Sequence, residues 1–198
     1  MYESIGARRH ALSGGHEFYA CALPKGLLPD DDTFAALWRL HPDDYHEINI
    51  HGRPVQTPRW QQAYGADYHY TGRTNHARPV PARLEPYLDW CREHIYGRLN
   101  GLLLNWYDAA RKHYIGKHRD STRKMVESAP IVTISMGEAR IFRLRPWRGA
   151  GFIDVPAPHG AVFIMPYATN QAFTHEVPHL ERYRGRRISV TVRAFITD

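Results

Sequence analysis

Cysteine is scarce in this sequence: Cys21 and Cys91 are the two in 198 residues. Two thiols cannot build a disulfide framework and lack metal-type spacing, so both are expected as buried, reduced side chains. Long apolar runs are missing too, none approaching the about 20 residues of a membrane span. The opening Met1-Tyr2-Glu3-Ser4-Ile5-Gly6 has no basic-then-apolar export pattern. An intracellular protein, cytoplasmic or nuclear, with no membrane partner is therefore expected. No repeat, low-complexity tract or long polar linker divides the chain, which predicts one domain over 1-198, acting as a monomer.

Acidic residues are in deficit. Lys and Arg number 26 against 20 Asp and Glu, giving a net charge of +6 and a pI near 9.4. A positive field concentrates phosphates, so an anionic partner such as nucleic acid is favoured. The 43% hydrophobic content is ordinary for a folded domain with its own core.

Residues 16-22 read as a strand. Asp30-Asp31-Asp32, ahead of Phe34, Leu37, Trp38 and Leu40, reads as the capped start of a short amphipathic helix ending near Pro42. Residues 47-72 break into short strand-like pieces with turns at Gly52-Arg53-Pro54 and Gly65-Ala66-Asp67, a candidate hairpin and lid. A second helix is predicted from about Pro86, because Leu84, Leu88, Cys91, Ile95 and Leu99 recur on one face; Gly97 and Gly101 mark its end. Short strands follow over 102-107, 130-136, 139-144, 152-155, 160-165, 171-176 and 187-196. Such spacing without intervening helices predicts an antiparallel barrel or jelly roll, a mainly β (α+β) fold with flanking helices. The organisation is then an extension, lid and supporting helices over about 1-100 and a jelly-roll core over about 101-198.

The last strand alternates cleanly: Ile188, Val190, Val192, Ala194 and Ile196 on one face, Arg187, Ser189, Thr191, Arg193 and Phe195 on the other. On a buried face the two arginines require an anion; on a solvated face they are ordinary surface charges. The chemistry centres on His118-Arg119-Asp120, where residues two apart point the same way and could share one metal ion. The tripeptide alone carries little weight, since His41-Pro42-Asp43 repeats the pattern at a helix end. Around His118 the context is richer, with Asn105 and Tyr107 upstream and His175 and Arg187 on later strands. Two His and one carboxylate leave three metal positions open, which suits a bidentate 2-oxo acid and dioxygen on Fe(II). An arginine would pair the acid's far carboxylate. His159 and His179 compete with His175 for the third ligand; His175 is favoured because it ends an apolar strand, whereas His159 sits at a Pro158-Gly160 turn and His179 in a charged loop.

Asn105-Trp106-Tyr107, Ile115-Gly116-Lys117-His118-Arg119-Asp120 and Ile131-Val132-Thr133-Ile134-Ser135-Met136-Gly137 together resemble the central run of AlkB-like Fe(II)/2-oxoglutarate dioxygenases. Asn170-Gln171-Ala172-Phe173-Thr174-His175-Glu176-Val177-Pro178 and Arg187-Ile188-Ser189-Val190-Thr191-Val192-Arg193 are similar to the family's distal-histidine and Arg-x5-Arg motifs. Thr57-Pro58-Arg59, Tyr64-Gly65 and Tyr68-His69-Tyr70-Thr71-Gly72 resemble its nucleotide-recognition lid. The resemblance covers about residues 45 to 198.

It implies a double-stranded β-helix (jelly roll) with iron held by His118, Asp120 and His175. Asn105, Tyr107, Arg187 and Arg193 would surround 2-oxoglutarate, with Arg187 on the distal carboxylate and Arg193 near the metal. Arg59, Tyr68, Tyr70 and Thr71 would meet the substrate. The implied activity is oxidative dealkylation of N-alkylated bases in DNA or RNA, with Fe(II), 2-oxoglutarate and dioxygen, the alkyl carbon leaving as an aldehyde. A base in duplex must leave its stack to be reached, giving the lid tyrosines a role in holding it. The sequence departs from the family's duplex-acting members at Ile50-His51-Gly52-Arg53, with His51 where an apolar wedge is expected. Oxidation of a protein, lipid or small molecule, and a non-catalytic nucleic-acid-binding module, are the alternative functions.

Overall fold

The computed structural model describes residues 2-70 and 72-196. Short 3-10 turns aside, the first half forms β1 (Arg8–Ala11), β2 (Glu17–Ala22), α1 (Asp31–Trp38), β3 (Glu47–Ile50), β4 (Arg53–Gln56), β5 (Trp60–Tyr64), β6 (Tyr68–Tyr70), β7 (Arg73–Asn75) and α2 (Glu85–His94). The second half forms β8 (Gly101–Asp108), β9 (Ile115–His118), β10 (Ile131–Gly137), β11 (Arg140–Pro146), β12 (Ile153–Ala157), β13 (Ala161–Met165), α3 (Tyr167–Ala172), β14 (Phe173–Val177) and β15 (Arg186–Arg193).

Two antiparallel sheets dominate. The larger has the order β1-β2-β13-β10-β15-β8-β5, and the smaller β12-β11-β14-β9. This is the expected double-stranded β-helix, with β1, β2 and β5 from the first half of the chain completing the larger sheet. Each strand's alternation feeds two separate cores. Leu102, Leu104 and Trp106 of β8 and Ile188, Val190 and Val192 of β15 pack against Leu37 and Trp38 of α1 and Leu84, Leu88 and Cys91 at α2. The opposite face carries Leu103 and Tyr107, which pack with Phe142, Phe163, Phe173 and Val177 between the sheets. Polar residues on that inner face therefore converge in the protein's interior.

Local chemistry sets the element ends. The Asp30 side chain caps α1 by accepting from the Thr33 amide at 2.8 Å. The β3–β4 hairpin turns through His51 (φ 50°) and Gly52 (φ 81°), both left-handed as a two-residue hairpin turn demands. Gly137 ends β10 at φ 84°, where a Cβ would collide with the Arg186 carbonyl oxygen and the Phe34 ring.

Three expectations need correction. The second helix stops at His94, because Ile95 leaves helical geometry (φ −120°), although Leu99 is still fully buried beyond it. Residues 171-172 of the run read as a strand over 171-176 belong to α3, and the strand starts at Phe173. The edge strand β1 was not expected, since Arg8, Arg9 and His10 give it no apolar face. No helix is long and apolar enough to cross a membrane.

Candidate functional site

The inner faces of β8, β9, β14 and β15 build one cavity, with Arg59, Tyr68, Tyr70, Thr133 and Phe142 completing its wall. His175 of β14 stands directly opposite His118 at the end of β9, with ring centroids 4.3 Å apart. Asp120, two residues past His118 at the strand's end, turns the same way. Its Oδ1 lies 3.4 Å from His118 Nε2 and 3.7 Å from His175 Nε2. Among the described residues these three form the cluster of ligand-type side chains able to hold a metal ion, their donor atoms all within 4.8 Å of one another.

The donor set fits a divalent metal. His118 Nδ1 lies 2.9 Å from the Gly116 carbonyl, and donating to it leaves Nε2 with a free lone pair toward Asp120. Burial, with His118 nearby, pushes His175 down to about 3, so its imidazole is neutral and available as a ligand. Burial alone would raise the Asp120 carboxyl, but Arg193 and the two imidazoles outweigh it and hold the group well below the usual carboxylate range. Asn170, from α3, fixes the backbone here: its Oδ1 accepts from the Asp120 amide at 2.9 Å, and its Nδ2 donates to the Asp120 carbonyl at 3.0 Å.

Arg187 and Arg193 both face inward, at 0% and 2% exposure. The solvated reading of that strand face is thus wrong. Arg193 donates from Nη2 to Asp120 Oδ2 and lies over the Tyr68 ring at 4.4 Å. Arg187 is the less satisfied. Its Nε donates to Ser135 Oγ at 3.0 Å, while Nη1 and Nη2 are buried with no partner. A buried guanidinium with two idle nitrogens and no carboxylate asks for an anionic ligand, and its planar fork matches a carboxylate. Tyr107 lies under it at 5.1 Å, and Asn105, on the same face of β8, also lines the cavity.

The remaining expected residues divide. Arg59, 4% exposed, lies in the cavity wall, where Nε donates to Asn105 Oδ1 at 2.7 Å and Nη2 to Gln61 Oε1 at 3.0 Å. Tyr68 and Tyr70 stack on one another (6.1 Å, 12°), and Tyr70 meets His118 edge-on at 5.9 Å. Thr71 lies outside the described residues. The competing histidines are engaged elsewhere. His159 accepts from the Gly137 amide through Nδ1 and lies 3.0 Å from the Pro29 carbonyl, and His41 stacks on Trp60 at 4.2 Å. Sequence reasoning gave no role to Ser135 or Asn170, although both fall inside quoted motifs; each acts by a hydrogen bond that spacing does not display.

A sequence model described as the 2OG-Fe(II) oxygenase superfamily matches residues 41–193. The chain belongs to this superfamily. Its name supplies the Fe(II) and 2-oxoglutarate that the His118-Asp120-His175 cluster and Arg187 fit, with dioxygen as the co-substrate of an oxygenase. Human DNA oxidative demethylase ALKBH2 is 28% identical to this superfamily member over 164 residues, covering 75% of this chain and 61% of the relative. The rat alpha-ketoglutarate-dependent dioxygenase alkB homolog 3 is 29% identical over 108 residues, covering 50% of this chain and 36% of that protein. The matched region thus spans less than two thirds of either relative. The solved structure of OsALKBH1 aligns over 89% of this chain and 97% of its own, with TM-score 0.56 at 14% identity, and shows the same fold.

Proposed function

We propose that this chain is an Fe(II)- and 2-oxoglutarate-dependent dioxygenase that removes alkyl groups from nucleobases by oxidation. One observation carries the reading: a single cavity joins the His118-Asp120-His175 cluster, the half-idle guanidinium of Arg187 and the stacked Tyr68-Tyr70 pair. These are the parts required to hold a metal, a dicarboxylate and a flat aromatic ring. Relatives named as a DNA oxidative demethylase support the substrate class, as does the net charge of +6.

Bound iron would supply the oxidation of a C–H bond by dioxygen, coupled to loss of carbon dioxide from 2-oxoglutarate to give succinate. The chain's own residues do the positioning. Arg187 takes the distal carboxylate of 2-oxoglutarate in its two free nitrogens, and Ser135 fixes the guanidinium from behind. Asn105 and Tyr107 line the same dicarboxylate's wall, and Arg193 balances Asp120 near the metal. Arg59 orients Asn105 from the substrate side. Tyr68 and Tyr70 present ring faces and edges to an extruded base, with Thr71 next to them in the chain. Burial of this set excludes water from the reacting carbon. In balance, an N-methyl base, dioxygen and 2-oxoglutarate give the N–H base, formaldehyde, succinate and carbon dioxide.

We read 1-198 as one catalytic domain, with lid and supporting helices in about 1-100 and the jelly roll in about 101-198. We read the protein as a monomer, and a nucleic-acid substrate supports an intracellular site, cytoplasmic or nuclear. Succinate release by iron-loaded protein, with methylated and unmethylated oligonucleotides side by side, tests the reading. Stimulation by the methylated strand alone is expected; turnover indifferent to methylation would move the substrate to another class.

A further inference from the structure

Arg119 lies between two candidate metal ligands in the chain, yet its side chain leaves the cavity, as alternation at the end of β9 requires. It is held in place outside. Nη1 donates to the Gln171 carbonyl at 3.0 Å, and the guanidinium lies over the Trp147 ring at 4.1 Å. Trp147 follows β11 directly, and its amide donates to the Ala172 carbonyl at 2.7 Å, so the indole is tied to the base of α3. Even so, 45% of Trp147 is exposed. An aromatic ring this open, fixed at its backbone and braced by a guanidinium, is a surface prepared for a flat partner.

Its surroundings name the partner. One groove is lined by Lys117, His118, Asp120, Trp147 and Gln171 together. Lys117 and Trp147 also line a second groove with Arg145 and Arg148. Arg145 is neutralised by Glu176, whereas Lys117, Arg119 and Arg148 form no ion pair among the described residues. Three uncompensated cations around an exposed indole match a chain of phosphates carrying aromatic bases. The groove shares His118 and Asp120 with the cavity, so a polymer with one base in the cavity would lay its neighbour here.

We propose that Trp147, braced by Arg119, is a stacking platform for the base next to the target on a single strand, with Lys117 and Arg148 holding the adjoining phosphates. The inference rests on the nucleobase reading of the cavity and adds a second contact point for the strand. Stacking uses the whole face of an unpaired base, so the platform acts on single strands and not on duplex.

The test is binding of a labelled, unmethylated single strand of about ten nucleotides to the iron-free protein, a length within the usual site sizes. W147A is expected to weaken binding about tenfold and W147F to restore most of it, because stacking is worth on the order of 1–3 kcal/mol per base. The double variant K117A/R148A should flatten the salt dependence by about 1.4 units of slope, as loss of about two single-strand phosphate contacts requires. W147A should leave affinity for the same sequence in duplex form unchanged. Equal affinity of wild type and W147A for the single strand, or no single-strand binding at all, would overturn the platform. Failure of the dealkylation reading looks different: succinate release by the wild type would be indifferent to methylation while the W147A binding loss persisted.

Discussion

Arg193 and Asp120 form a closed ion pair inside the cavity, Nη2 to Oδ2 at 2.5 Å, with side chains 2% and 4% exposed. The pair divides the carboxylate's work. Oδ2 is committed to the guanidinium, and Oδ1 is left facing both imidazoles. Neither charge would be tolerated alone at this depth, since an uncompensated buried ion costs several kcal/mol. Asp120 therefore has one permanent partner, and its Oδ1 is left for the metal proposed above.

Asp120→Ala is expected to abolish turnover and divalent-metal binding together, and to lower unfolding stability by about 3 kcal/mol by stranding Arg193. Asp43→Ala, at the competing His-x-Asp triplet and exposed, should change neither. Metal titration and urea unfolding of both variants check this; equal loss from the two would point to the wrong triplet.

Arg187→Ala removes the guanidinium whose Nη1 and Nη2 are idle. The 2-oxoglutarate requirement should rise by about thirtyfold, or about 2 kcal/mol, with a smaller change in the rate at saturation. Arg187→Lys should recover little, because an ammonium cannot make the forked contact. Unchanged 2-oxoglutarate affinity in the alanine variant would remove the proposed carboxylate pairing.

Acid sensitivity has a local source in His113, close in sequence to His118 but outside the candidate metal cluster. Burial pushes it down from 6.5 to about 4. Its Nδ1 accepts from the Asp108 amide at 3.2 Å, and Nε2 lies 2.9 Å from the Tyr45 hydroxyl, an arrangement that suits the neutral ring. The unfolded chain binds the proton first, so this contribution is complete above 6.5 and is lost as pH falls toward 4. Near pH 5 the loss amounts to about 2 kcal/mol. Urea unfolding across this range should show His113→Gln losing that much less stability than wild type; parallel curves would assign the acid limb to other groups.

Gly137→Ala should destabilise by at least about 2 kcal/mol, since a Cβ at φ 84° meets both the Arg186 carbonyl and Phe34. Gly6→Ala, also left-handed (φ 65°) but with open space around it, should cost about 1 kcal/mol. Thermal melts of the pair separate backbone strain from collision. Equal shifts would mean that the β10 end relaxes freely.

Much of the site is legible because β-strand alternation is rigid. Arg187, Ser189, Thr191 and Arg193 must share a face, and once Ile188, Val190 and Val192 face the helices, the arginines can only look inward. The order of His118, Asp120 and His175 along the chain adds the rest. Helix α2 is misread at its end because Ile95 and Leu99 continue the apolar spacing into a loop in which Leu99 is fully buried and Ile95 half-buried. β1 escapes notice because an edge strand is stabilised by backbone pairing with β2, which leaves no mark on its side chains. Asn170 escapes for a related reason: its bonds are to the Asp120 backbone, fifty residues away.

β15 lies between β10 and β8 in the larger sheet, although it follows every other strand in the described chain. In synthesis β15 is the last described strand to emerge, and it must take a place flanked by two neighbours. Such non-local closure is slow, on the order of milliseconds to seconds. Until it happens neither guanidinium is present and Asp120 has no counter-charge, so no partly made chain carries a working pocket.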